Sequence, residues 1–406
     1  MNVLVVADVD LQGEVSGAER VLAAHCVGLH KRGHRVHLIT GLPDGGGKAT
    51  EEVQGVQVHR FHRTLTSFWT ARRLFQSLSR RTPFDVLVFH QPFSAFGVTL
   101  ARGSRCVPKA YVFHSPWAEE YGARGIDAPV QWSQMKSITG GRLLRRIIER
   151  RVLGTCRRVF VLSRFMRERF VKAHPGFADR VACLPGGVDL DRFMPAEDRQ
   201  PAKTALRLPV KGPLLLTVRN LEPRMGIDHL LHAMKEVARA GREVNLLIGG
   251  EGPLKGELQG LVARLGLETS VRFEGYIPDE RLPIYYQAAD FFLLPTKALE
   301  GFGLVAVEAL ACGTPVLGTP VGAIPELLGE LQPDLLFAGI GPDALARGIL
   351  EHLDRAQADP QGYQALRAGC LAYAAARFGW DQVTKQLEQE LVDMAGGMEG
   401  SASRKE

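Results

Sequence analysis

The 406-residue chain contains no run of 18 apolar residues, so no segment reads as a membrane-spanning helix. Cysteine is sparse: six residues, at positions 26, 106, 156, 183, 312 and 370, with no Cys-x-x-Cys pair. That pattern argues against a disulfide framework or a zinc module and for free thiols in a reducing cytoplasm. No basic stretch precedes Met1-Asn-Val-Leu-Val-Val6, which reads as a first strand and not as a secretory signal. No His, Cys and Asp residues share metal-ligand spacing, so no metal is expected. Asp8-Val-Asp10 and Asp189-Leu-Asp191 match a known two-aspartate metal motif, but a chain with 18 aspartates yields about one such match by chance. Both read as structural.

What is present is an ordinary globular balance, 45% hydrophobic and 23% charged, in a chain long enough for two domains. The net charge of +6 is unevenly distributed. Residues 1–200 carry 30 Lys and Arg against 18 Asp and Glu, a balance of +12; the remainder carries −6. A basic first half suits an acidic acceptor or an anionic membrane face, and nothing points to nucleic acid.

Short apolar strands alternate with longer helical patterns, the signature of parallel βαβ units. Val3–Ala7, Val36–Thr40, Val86–Phe89, Ala110–Phe113 and Val159–Leu162 are expected as strands of a first domain. Leu214–Val218, Asn245–Ile248, Phe291–Leu294, Pro315–Leu317 and Leu335–Phe337 are expected in a second, after a polar, proline-bearing linker at 194–212. Arg142–Leu153 and Arg164–Phe170 are basic amphipathic helices, read chiefly as core-packing helices with a solvated basic face and alternatively as membrane-surface helices.

The densest stretch is Glu300-Gly-Phe-Gly-Leu-Val-Ala-Val-Glu308. A strand ends at Pro295, Gly301 and Gly303 permit a loop pressed against a ligand, and good helix formers follow from Leu304. Backbone N–H groups of Phe302, Gly303 and Leu304 would then face outward at a helix start, where phosphate binds well. Glu300 and Glu308 bracket that start. A carboxylate beside a phosphate is useful when it serves neutral hydroxyls, which points to a nucleotide-sugar. Gly17, at a strand-to-helix turn, and Gly250, after the Asn245 strand, are placed for close approach to a diphosphate. His114 and its rival His90 stand at carboxyl ends of parallel strands, where open α/β sheets bind ligands.

The Glu300–Glu308 element with Ala309-Leu-Ala-Cys-Gly-Thr-Pro-Val316 resembles the Glu-x7-Glu element of family 4 retaining glycosyltransferases. Gly17-Ala-Glu-Arg20 and Pro185-Gly-Gly-Val-Asp189 resemble further blocks, and the likeness runs from about Val3 to about Leu391. It implies an α/β GT-B fold: two doubly wound Rossmann-like domains facing a cleft, 1–195 on the acceptor side and 196–378 for the nucleotide-sugar. A helix at 379–395 would cross back to the first domain, ahead of a disordered tail at 396–406. The implied activity is metal-independent, retaining transfer from a UDP- or GDP-sugar, with no cofactor, to a sugar, lipid-linked or small-molecule acceptor. Envelope glycolipid, polysaccharide or glycoconjugate synthesis is the setting, in the cytoplasm or on the inner face of the membrane. In that reading His114 contacts the transferred sugar, Glu300 its hydroxyls, Glu308 the ribose, and Tyr276 and Ile277 the base. Arg219 and Arg224 stabilise the diphosphate. Met225 stands where relatives carry a lysine, and Ser16 where they carry a glycine. A GT-B sugar phosphorylase, a nucleotide-sugar epimerase and a non-catalytic binding subunit are the alternatives.

Overall fold

The computed structural model describes residues 1–11, 16–43, 46–64, 66–115, 140–206 and 212–396. Of the tail expected at 396–406, Gly396 ends a helix and the rest lies outside the described residues. The chain divides into two compact units, Met1–Pro185 with Asp381–Glu406, and Gly186–Trp380.

In the first unit eight strands form one sheet: β1 (Asn2–Val6), β2 (Arg35–Gly41), β3 (Thr50–Val53), β4 (Val56–Phe61), β5 (Val86–Phe89), β6 (Lys109–Phe113), β7 (Arg158–Val161) and β8 (Val181–Cys183). Their order is β3-β4-β2-β1-β5-β6-β7-β8, and every pairing is parallel except β3 with β4. Helices cover the sheet, so β5 and β6 are buried at every position, and apart from Lys109 at the start of β6 their sequences run apolar instead of alternating. The β3–β4 hairpin was not expected. Its strands are polar (Thr50-Glu-Glu-Val53), and the turn depends on Gln54 and Gly55, both at positive φ (49° and 83°).

The helix Trp380–Gly396 belongs, from Asp381 onward, to this first unit. It lies close against the Gly17–Lys31 helix: a Cβ added at Gly28 would come 2.4 Å from Thr384 Oγ1. Glu388 accepts from Arg32 Nε at 2.5 Å and stands 2.7 Å from His34 Nε2.

The second unit holds β9 (Leu214–Val218), β10 (Asn245–Gly249), β11 (Val271–Gly275), β12 (Phe291–Leu294) and β13 (Val316–Gly318), ordered β11-β10-β9-β12-β13 and parallel throughout. Leu335–Phe337 is not a strand. Pro333 opens a 3₁₀ turn there, and only an isolated bridge from Leu336 to Gly318 survives. The units part at Pro185, ahead of the expected linker, because the Gly186–Phe193 stretch is tied to the second unit. Val188 N–H donates to the Phe378 carbonyl at 2.7 Å, and Trp380 N–H to Val188 at 3.1 Å.

Candidate active site

Parallel strands deliver their carboxyl ends to one edge of each sheet, and the candidate residues collect there. In the second unit, Arg219 follows β9 and is 9% exposed. Its guanidinium donates to Glu300 Oε2 at 2.6 Å and rests against the Met225 thioether. Met225 therefore does not merely replace a cation: it is a buried support for Arg219. Thr296 Oγ1 stands 3.5 Å from the same Glu300 oxygen.

Gly250 (φ 121°) serves this arrangement directly, since a Cβ there would fall 1.9 Å from the Arg219 carbonyl oxygen. Its role is to let the two strand ends approach. Gly322 (φ 63°) does the same for Glu300, whose carbonyl accepts from Ala323 N–H at 3.0 Å; a Cβ at Gly322 would lie 2.3 Å from that oxygen. Gly322 was not singled out from the sequence, although Thr319-Pro-Val-Gly322 has the composition of a tight turn.

The expected glycine loop and helix are present. Gly303 takes φ 91° as N-cap of the Leu304–Ala311 helix, a conformation that disfavours any side chain. Phe302 is buried and meets Phe378 edge-on at 5.6 Å, and both Phe302 and Leu304 pack against Gly186. Glu308 lies one turn into the helix but is only 4% exposed, with Tyr286 O–H donating to Oε2 at 2.9 Å. A buried carboxylate needs such donors. Tyr286 was missed because an apolar sequence context, Leu282-Pro-Ile-Tyr-Tyr286, gives no sign of a polar duty. Ile277 is buried and would meet a Cβ at Gly249 within 2.4 Å, whereas Tyr276 is 61% exposed.

Arg224 is engaged differently from Arg219. Its Nε donates to Glu222 at 3.1 Å and Nη1 to the Leu299 carbonyl at 3.2 Å. Its own carbonyl accepts from Lys297 N–H at 2.8 Å. Leu299 sits at φ 61°, a strained setting for a leucine, so Arg224 clamps the loop that presents Glu300. Lys297 pairs with both oxygens of Asp228 at 3.0 Å.

The first unit's edge is of another kind. β1, β5 and β6 are neighbours, so Asp8, His90 and His114 stand in sequence across their carboxyl ends. Asp8 accepts from Ser94 N–H at 3.0 Å, Phe93 N–H at 3.3 Å and Ser94 O–H, and so caps the Pro92–Thr99 helix from a distant strand. Burial pushes its carboxyl above the usual range, against the pull of those donors. Asp10 is buried in an ion pair with Arg60, so the aspartates of Asp8-Val-Asp10 both have structural partners. His90 Nδ1 lies 3.2 Å from His114 Nε2, and the His25 ring meets His90 at 5.4 Å. Burial and the neighbouring rings hold His25 down at about 3 and His90 well below its ordinary value. Both rings are neutral. Gly17 is the exposed first residue of its helix, and Ser16 before it closes a capping box with Glu19. The serine replaces a glycine with a helix-starting hydroxyl.

The profile of glycosyl transferases group 1 matches residues 198–364, and that of glycosyltransferase family 4 matches residues 15–192. A D-inositol 3-phosphate glycosyltransferase from Streptomyces bingchenggensis is 34% identical over 59% of this chain; the chain spans 53% of that relative's length. A GDP-mannose-dependent alpha-(1-6)-phosphatidylinositol monomannoside mannosyltransferase from Mycolicibacterium smegmatis is 31% identical over 65% of this chain and 69% of its own. Among solved structures, sucrose-phosphate synthase from Thermosynechococcus elongatus superimposes with a TM-score of 0.77 at 23% identity, over 98% of this chain and 100% of that one. Anabaena HepE in complex with UDP gives 0.73 at 17% identity, over 97% and 100%.

Proposed function

The chain belongs to the family 4 glycosyltransferases and has the GT-B fold; we propose that it transfers a sugar, with retained anomeric configuration, from a nucleoside diphosphate donor to an anionic acceptor. The observation that carries this reading is the part-buried Arg219–Glu300 pair beside the Gly303 helix start. In one place it offers a fixed cation and outward N–H groups for a diphosphate, and a carboxylate for sugar hydroxyls. Arg219 stabilises charge on the departing diphosphate. Glu300 turns from Arg219 toward the donor's sugar, and Glu308, held by Tyr286, receives the ribose. Ile277 shapes the base pocket. The two carboxylates are not an acid and nucleophile pair, because Glu308 serves the nucleoside end. Arginine and backbone N–H groups do the electrostatic work that a metal does elsewhere, so turnover proceeds in excess EDTA.

The donor is a UDP- or GDP-sugar; the Mycolicibacterium relative is named for GDP-mannose, and HepE was solved with UDP. The acceptor carries phosphate, in keeping with the +12 balance of residues 1–200 and with two relatives named for inositol phosphate or phosphatidylinositol. An anionic membrane face is the natural docking place for a lipid-linked form. On the Gly140–Thr155 helix, Leu143 (62% exposed), Leu144 (47%) and Ile147 (48%) face outward with Arg146, Arg150 and Arg151, while Ile148, Val152 and Leu153 are buried. Outward aliphatics beside arginines suit an anionic bilayer better than a merely solvated basic face. Among the described residues no helix is long and apolar enough to cross a membrane.

A thermal-shift screen with UDP, GDP, ADP and their sugars tests the donor. A ligand at 100 times its Kd adds about 2.7 kcal/mol of stability. Stabilisation by one nucleoside diphosphate, together with its slow hydrolysis from the matching sugar, supports the reading. No shift with any of them overturns it. Binding to phosphatidylglycerol vesicles that falls with salt, and is weakened by Leu143→Ser with Ile147→Ser, tests the membrane face; equal binding to neutral vesicles removes it.

A further inference from the structure

His90 carries no role in the reading above, yet it is 1% exposed and directly contacts the histidine given one. We infer that His90 is a positioning residue that fixes His114 with its ring proton on Nδ1, so that His114 meets the donor's sugar as a hydrogen-bond donor and not as a base. This rests on the reading that His114 touches the transferred sugar.

The argument begins with placement. His90 and His114 follow adjacent strands, β5 and β6, and their backbones are set by the sheet register. His90 N–H donates to the Val6 carbonyl at 2.9 Å, which anchors the ring's base to a third strand, β1. The ring is packed against His25, and one nitrogen, Nδ1, reaches His114 Nε2 at 3.2 Å. The other, Nε2, is buried without a hydrogen-bond partner.

A neutral imidazole has one N–H and one bare nitrogen. Burial and the adjacent rings keep His90 neutral. If its proton were on Nε2, a buried donor would be left without an acceptor, which is rarer and costlier in proteins than an unused acceptor. With the proton on Nδ1, the same ring donates into its one available contact. His114 Nε2 must then accept, and a neutral His114 carries its proton on Nδ1. The tautomer of His114 is thus dictated by a residue that never reaches the sugar, in the way an orienting partner sets a histidine's tautomer elsewhere.

The test is ring-nitrogen NMR on the full-length protein labelled with ¹⁵N at histidine, His114 being assigned by its loss in His114→Ala. His114 should be an Nδ1–H imidazole in the wild type. His90→Phe keeps a buried ring but removes the donor, and His114 should then gain the Nε2–H form. His90→Asn places an amide N–H near the former Nδ1 and should restore the wild-type signature. An Nε2–H form of His114 in the wild type overturns the inference without any variant, as does an unchanged tautomer in His90→Phe. Turnover supplies the second arm, measured as hydrolysis of whichever nucleotide-sugar binds. His90→Phe should lower kcat by about 10- to 100-fold, as loss of an orienting partner does, with nucleotide affinity unchanged. If His114→Ala hydrolyses the donor normally while the tautomer result holds, the reading of His114 fails and the positioning by His90 stands.

Discussion

The two sheet edges arise from one topology and hold opposite chemistries. At the edge of the first unit, His25 and His90 are buried beside a half-buried imidazole, His114, and a half-buried carboxyl, Asp8, and burial has removed charge from the two rings whose titration is shifted, His25 and His90. At the edge of the second, Arg219 and Glu300 form an ion pair at 2.6 Å, each the other's counter-ion. Like-titrating groups crowded together settle by neutrality, and opposite ones by pairing. The first edge therefore suits hydrogen-bond recognition of a neutral sugar, and the second suits an anion.

The sharpest way to break this comparison is to remove the fixed cation. Arg219→Ala should cut turnover by roughly 10²–10³-fold, the usual consequence of losing one preorganised donor. Arg219→Lys should recover only part, because an ammonium lacks the planar fork that can address Glu300 and a phosphate together. Steady-state rates on the donor identified by the thermal screen decide it; unchanged turnover would deprive the second edge of its assigned part.

Acid should separate the units next. His25 titrates at about 3 in the folded chain against an ordinary 6.5, so between those values only the unfolded chain holds the proton. Its stabilisation is complete above pH 6.5 and is lost as pH falls toward 3. By pH 5 the loss from His25 alone is about 2 kcal/mol. His90, His37 and His59 are lowered in the same unit, whereas His352 is lowered in the other. Asp8 acts with the opposite sign: its folded carboxyl keeps a proton above 3.8, so its penalty is absent below that value and grows as pH rises. Amide hydrogen exchange, corrected for intrinsic rates, should show the first unit losing protection before the second between pH 6.5 and 5. Simultaneous loss would break the contrast.

Glu308→Ala should weaken nucleotide binding by about 1–3 kcal/mol, and Tyr286→Phe by about 0.5–1.5 kcal/mol, both read by calorimetric titration. Unchanged affinity in Glu308→Ala would free the buried carboxylate of its ribose. The smallest effect belongs to Arg224→Ala. Its half-exposed links to Glu222 and the Leu299 carbonyl position a loop, so turnover should fall far less than in Arg219→Ala. Equal losses in the two variants would mean that Arg224 leaves those partners to bind the diphosphate itself.

Much of this was readable from residue order. The buried strands announced themselves as apolar runs, and Gly303 marked the turn into its helix. The β3–β4 hairpin escaped because Thr50-Glu-Glu-Val53 is a polar edge pairing whose signal is the Gln54-Gly55 turn alone. Leu335–Phe337 misled because an apolar triplet bounded by Pro333 looks the same as a strand or a 3₁₀ turn. Tyr286, Gly322 and the support of Arg219 by Met225 had no local signal, since each acts on a residue 6 to 22 positions away.

By sequence alone, then, the chain determined its parallel α/β class, its glycine-turned helix start and the residues bracketing it, because backbone freedom and burial periodicity are local properties. Only the tertiary structure decided which of those groups are paired and which are buried. Pairing Arg219 with Glu300, burying His90 beside His114, and turning Arg224 to its own loop each depend on distances across the sheet. Coulomb and desolvation energies are functions of those distances, which residue spacing does not encode.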